Sequence, residues 1–141
     1  MTILELNKNV QAFDVEKELD KLILANEKEI LATNKEQLYE YGVDSRGVPL
    51  GDYALKTQEY KQEAGQRYDH ITLNDTGDFY QGFKIDIQDY EIGSTDSKAN
   101  KLRAEYGDDI FGLTKENTAE LTDNKLTPGL TKALNDTIKG I

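Results

Sequence analysis

The sequence predicts an α+β fold, a small antiparallel sheet packed against an N-terminal helix and a C-terminal helix. Three observations lead there. Apolar residues recur at helical spacing over residues 14–32 and again after Thr127. Between them "DFYQGFKIDIQDY", residues 78–90, alternates along its length, the period of two that marks a strand buried on one side. "EIGS", residues 91–94, follows as a return strand. The 141 residues suit one domain, with a helical part at 14–65, antiparallel strands at 70–95 and a helical C-terminal part at 97–141.

Each element has its own signals. Asp14 caps a helix whose stripe is Val15, Leu19, Leu22, Ile23 and Ile30, with Glu16, Lys17, Asp20, Lys21 and Lys28 opposite. "TNKEQLYEYG" extends it after a break, and Gly42 stops it. "VDSRGVPLGDY", residues 43–53, is a loop rich in turn residues. Asp52 is expected to cap a second helix that ends at Gly65, with Tyr53, Ala54, Thr57 and Tyr60 on one side. "HITL" reads as a short strand with Ile71 and Leu73 on one face. The longer strand places Phe79, Phe83, Ile85 and Ile87 together. A helical stretch follows at 97–105. In the closing segment Thr127 is the expected N-cap and Pro128 the first helical residue, where its missing N–H costs little. Leu130, Leu134, Ile138 and Ile141 then form a narrow apolar stripe.

Composition narrows the function. The formal charge is −10, so the chain repels phosphate and is not expected to hold nucleic acid tightly. Lysines interleave with the acids, as in "DVEKELDKLILANEKE", which fits a solvated surface better than the one-sided acidic array of a DNA mimic. Cysteine is absent, excluding disulfides and thiolate metal sites. "MTILELNKNV" lacks the basic start and apolar run of a signal peptide. No apolar stretch approaches the roughly 18 residues of a membrane span.

One triplet invites a catalytic reading. Asp75-Thr76-Gly77 matches the motif that carries the carboxylate of aspartic proteases, and "DIFG" at 109–112 resembles a later element of the retroviral type. Such chemistry needs two carboxylates sharing a proton, so a chain with one triplet must dimerise. The flanks disagree: Asn74 and Asp78 stand where those enzymes place an apolar and a small residue. Asn, Asp and Gly between apolar segments are also what a turn requires. His70 is the sole histidine, which excludes a histidine zinc cluster. Asp86, Asp89 and Glu91 lack the pattern of a calcium loop. No phosphate-binding glycine loop is present. The chain is therefore expected to be no enzyme, with no catalytic, cofactor-binding or metal-ligating residues and no cofactor. A homodimeric protease using Asp75 and a small acidic inhibitor or binding protein are the alternatives.

Several short motifs succeed one another in order: "DSRGVPL", then Thr57, Lys61 and Gly65 at spacings of four, "ITLNDTGDFYQGFKI", Gly93, "RAEYG", and "DIFGLT" before the last helix. Over residues 43–141 this order resembles the tail completion and virion morphogenesis proteins of tailed bacteriophages. Leu50 follows Pro49 where an aromatic is frequent in that family, and Asp108-Asp109 replace an Arg-Pro pair. The resemblance implies a structural virion protein. It implies a homo-oligomeric ring at the head–tail junction, in contact with other neck, connector or tail tube proteins. DNA passes through such a ring without specific binding, no membrane is involved, and assembly takes place in the bacterial cytoplasm. Thr76-Gly77 becomes the family's strand-opening turn. The loop 43–52 and the polar segment 89–101 are the candidate contact surfaces. Arg46, Pro49, Leu50, Tyr90 and Phe111 are the candidate contact residues. The isolated chain is expected to be monomeric or weakly associated.

Overall fold

A computed structural model describes residues 1–140; the expectation for Ile141 lies outside the described residues. The fold mixes helices with one two-stranded antiparallel sheet and carries helices at both ends. Helix α1 (Ile3–Gln11) begins at a capping box, in which Thr2 Oγ1 accepts from Glu5 N and the Glu5 carboxylate accepts from Thr2 N. Helix α2 (Val15–Ala25) starts where Asp14 accepts from Lys17 N, as its sequence predicts. Asn26 interrupts the helical run, and α3 (Glu27–Tyr39) continues it until Gly42 turns the chain at φ +63°. Of the predicted stripe, Ile30 is buried, Leu19, Leu22 and Ile23 are half-buried, and Val15 is exposed.

Helix α4 (Leu55–Glu63) is shorter than predicted. Asp52 does not cap it; Ala54 precedes the first turn and no side chain accepts from it. "HITL" is not a strand either. Ile71, Thr72 and Leu73 are buried in succession, which the alternating faces of a strand on a one-sided sheet do not allow. Tyr53 Oη takes the N–H of Thr72 at 2.9 Å, and Tyr80 Oη donates to the Thr72 carbonyl. These hydroxyls satisfy the backbone of Thr72, and Ile71 N donates to the Gly51 carbonyl at 2.9 Å, so no ladder forms here.

The predicted long strand is divided. Asp78–Gln81 forms one helical turn, α5, and β1 covers only Phe83–Asp86. The return strand β2 (Glu91–Ser94) lies where expected, with Phe83 opposite Ser94 and Ile85 opposite Ile92. Phe79 and Phe83 still meet, because positions four apart share a face on a helical turn as well as on a strand. Their rings stand edge to face at 5.0 Å, and Phe111 closes the cluster at 5.6 and 5.4 Å from them. Ile30, Leu31, Leu38, Ile71, Leu73, Ile92 and Ile110 complete the core around these rings.

After α6 (Ala99–Tyr106) and a single 3₁₀ turn at Asp108–Ile110, the chain ends in one long helical run. Helix α7 (Lys115–Leu121) is capped by Thr114 and passes through a π-turn at Thr122–Leu126 into α8 (Thr127–Ile138). Thr127 is therefore no N-cap: Leu126 before it is already helical. Pro128 is tolerated within the run because the wide turn relieves the clash its ring makes with the preceding turn. Leu130, Leu134 and Ile138 are half-buried. Helix α8 packs on α1 and α2, closely enough that a Cβ at Gly129 would stand 2.4 Å from Leu22 Cδ2.

Candidate functional site

The motifs that share the family resemblance touch one another at two places. The first joins "DSRGVPL" to "DIFGLT". Asp44 is buried, and its Oδ1 accepts from the N–H groups of Arg46 at 2.9 Å and Val48 at 3.1 Å. Its Oδ2 accepts from Arg46 Nη2 at 2.9 Å. The same guanidinium reaches Asp109 Oδ2 at 3.1 Å, and Ser45 N donates to the Asp109 carbonyl at 2.8 Å. The side-chain bond to Asp44, foremost, and the charges of Asp44 and Asp109 hold the proton on Arg46, raising its pKa.

Helix α3 clamps the other side of the 110–114 segment with two buried amides. Asn34 donates to the Ile110 carbonyl at 3.0 Å and accepts from Gly112 N at 2.8 Å. Gln37 donates to the Gly112 carbonyl at 2.9 Å and accepts from Thr114 N at 2.9 Å. Asn34 and Gln37 thus act as a neighbouring strand would, meeting an extended backbone with alternating donors and acceptors. Both were legible as polar residues three apart on a helix face otherwise made of Ile30, Leu31 and Leu38.

The second meeting place lies between α4 and the Asp75-Thr76-Gly77 turn. Lys61 is only 6% exposed. Its ammonium donates to the Asn74 carbonyl at 2.9 Å and to Gln66 Oε1 at 3.2 Å, and lies 4.9 Å from the Tyr53 ring centre. Gly65 ends α4 at φ +72°. Asp75 itself is exposed. Gly77, at φ +90°, leads into α5, so the triplet opens a helical turn rather than the strand expected of it. A cavity of about 320 Å³ beside it is walled by Tyr60, Lys61, Asp75, Lys98, Leu102 and Tyr106 among others. His70 has both ring nitrogens on backbone carbonyls, those of Ile71 at 2.9 Å and Glu40 at 3.2 Å, and packs on Gly42.

The candidate contact residues divide by exposure. Arg46 and Pro49 are exposed, although Arg46 is committed to Asp44 and Asp109. Leu50 is half-buried against the core. Tyr90 caps the hairpin at φ +55°, exposed, with its hydroxyl on the Asp20 carboxylate. Phe111 is a correction: it is buried in the aromatic cluster and presents no face to a partner.

Two surface features escaped the sequence reading. Helix α1 buries no residue and exposes Ile3, Leu4, Leu6 and Val10. A groove of about 540 Å³ runs between α2, the hairpin and α7, lined by Ile23, Ile85, Ile92, Leu121 and Leu126. Arg103 lies at its side, with Cζ 4.7 Å from the Phe111 ring centre and Nε 3.8 Å from Asp108 Oδ1, an ion pair beyond hydrogen-bond reach. Among the described residues, no three His, Asp or Glu side chains gather as a cation site. No helix there is long and apolar enough to cross a membrane. The chain matches no family model, no curated protein and no solved structure.

Proposed function

We propose that this chain is a structural subunit of a tailed-bacteriophage neck or tail, one of several copies that form a ring at the head–tail junction. The observation that carries this reading is the mutual contact of the motifs that resemble that family. Ser45 and Arg46 of "DSRGVPL" bond Asp109 of "DIFGLT", and Lys61 of the Thr-x-x-x-Lys-x-x-x-Gly motif bonds Asn74 beside Thr76-Gly77. Motifs in contact define a scaffold, and a scaffold suits a protein whose work is assembly.

The triplet at Asp75 has the form of a turn. An aspartic dyad requires two carboxylates held against one another, whereas Asp75 is exposed at the mouth of a helical turn. An acidic chain of −10 also suits a passage through which DNA slides without sticking. Peptide mass spectrometry of purified particles from the phage that encodes the chain tests the reading. The protein should be present in many copies per particle, and its absence from particles would overturn the assignment.

A further inference from the structure

Resting on the reading of this chain as an assembling subunit, we infer that α1 of one copy docks in the groove between α2, the hairpin and α7 of the next. The occupant is a second copy of this chain, and the contact is head to tail.

The surface area points to it. A compact monomer of this mass exposes about 7,400 Å². This chain exposes 9268 Å², a surplus of about 1,900 Å² over that expectation. A standard interface covers about 800 Å² on each partner, so the surplus matches two faces per subunit better than one. Two different faces are what a head-to-tail contact uses.

Both faces are present, one a ridge and the other a groove. Ile3, Leu6 and Val10, three and four apart, form a convex stripe on α1. Asn9 Nδ2 ties that helix to the Ile138 carbonyl at 3.0 Å, so α8 presents it in a fixed pose. Ile3, Leu4, Leu6 and Val10 are exposed together on this one helix, a contiguous apolar patch rather than a scattered residue. The groove is concave, and half of its lining is Ile and Leu, with Glu91, Arg103 and Asp108 along its side. Arg103 and Asp108, 3.8 Å apart, border the groove and leave its apolar floor free. Copies of charge −10 repel one another, so the contact is weak in dilute buffer and strengthens as salt screens the repulsion.

The chain has no cysteine, which permits a clean test. Ile3→Cys labels the stripe, and Thr118→Cys, exposed on α7 beside the groove, labels the other face. With a short bis-maleimide, the double variant should give a ladder of multimers. Mixed single variants should give dimers, and either single variant alone almost none. Separately, the sedimentation coefficient of the parent should rise with concentration and salt, and Ile3→Glu should abolish the rise while circular dichroism stays unchanged. A double variant without intermolecular products would overturn the contact. Equal cross-linking by Ile3→Cys alone would show a two-fold contact and overturn the head-to-tail arrangement. Particles that lack the protein would sink the viral reading and leave the cross-links standing.

Discussion

Lys61 and Tyr90 show how much single side chains decide here. A buried ammonium without a carboxylate partner is costly unless its protons are bonded. Lys61 meets that condition through Asn74, Gln66 and the Tyr53 ring. Lys61→Met keeps the bulk but leaves the Asn74 carbonyl without its donor, so urea melts should show a loss of about 1–3 kcal/mol. A variant as stable as the parent would mean the ammonium holds nothing in place. Tyr90 is a pH probe. Its hydrogen bond to Asp20, foremost, holds the phenolic proton and pushes the pKa from the ordinary 10.0 up to about 12. The folded value exceeds the unfolded one, so the bond's contribution is complete below pH 10 and is lost as pH rises towards 12. In an ultraviolet tyrosinate titration, Tyr90→Phe should remove one late transition. Asp20→Asn should move that transition back towards 10. Asp75 stands apart from these: Asp75→Asn, on an exposed turn, should change stability by less than about 0.5 kcal/mol.

Among elements, the return strand, the Asp14 cap and the glycine stops are legible in the sequence, whereas the caps expected at Asp52 and Thr127 are not formed. Asp14, Gly42, Gly65 and the "EIGS" return strand all lie where local chemistry put them. The differences have separate causes, and only the first is a tertiary partner that replaces a local one. "HITL" alternates like a strand, but hydroxyls of Tyr53 and Tyr80 serve its backbone. "DFYQ" reads as part of the strand because Phe79 and Phe83, four apart, fit either period. Thr127-Pro128 reads as a helix start, yet a π-turn carries the helix through it. Thr2 and Glu5 did spell a capping box, so α1 was readable from that signal. The α3 clamp is the least local of these features, since its partners lie more than seventy residues away. Asn34→Leu preserves the helix and approximate volume but orphans the Ile110 carbonyl and Gly112 N. Chemical denaturation should show a cost of about 2–5 kcal/mol. Hydrogen exchange at Gly112 should also rise. An unchanged exchange rate would show that α3 does not hold the 110–114 segment.

For the whole molecule, one arrangement explains why the core is small and the ends are bare. The buried residues run from α3 to the 110–114 segment, while α1, α2, α7 and α8 bury none. Helices with half-covered apolar faces gain stability when a neighbour covers them, because each square ångström of apolar surface removed from water contributes about 25 cal/mol. A ring supplies such neighbours on both sides of every subunit. On the proposed assignment the chain should be markedly more resistant to heat within the particle than alone, by mass action on the folded form. Loss of the protein should then stop particle assembly at the join. In lysates of phage with the gene disrupted, electron microscopy should find DNA-filled heads beside separate tails or tail precursors. Restoring the parent gene should restore whole particles. Restoring the Ile3→Glu variant, which removes the stripe proposed to seat in its neighbour, should leave heads and tails apart. Normal infectious particles from the disrupted gene would defeat the neck assignment, and normal particles from the variant would place the ring contact elsewhere on the subunit.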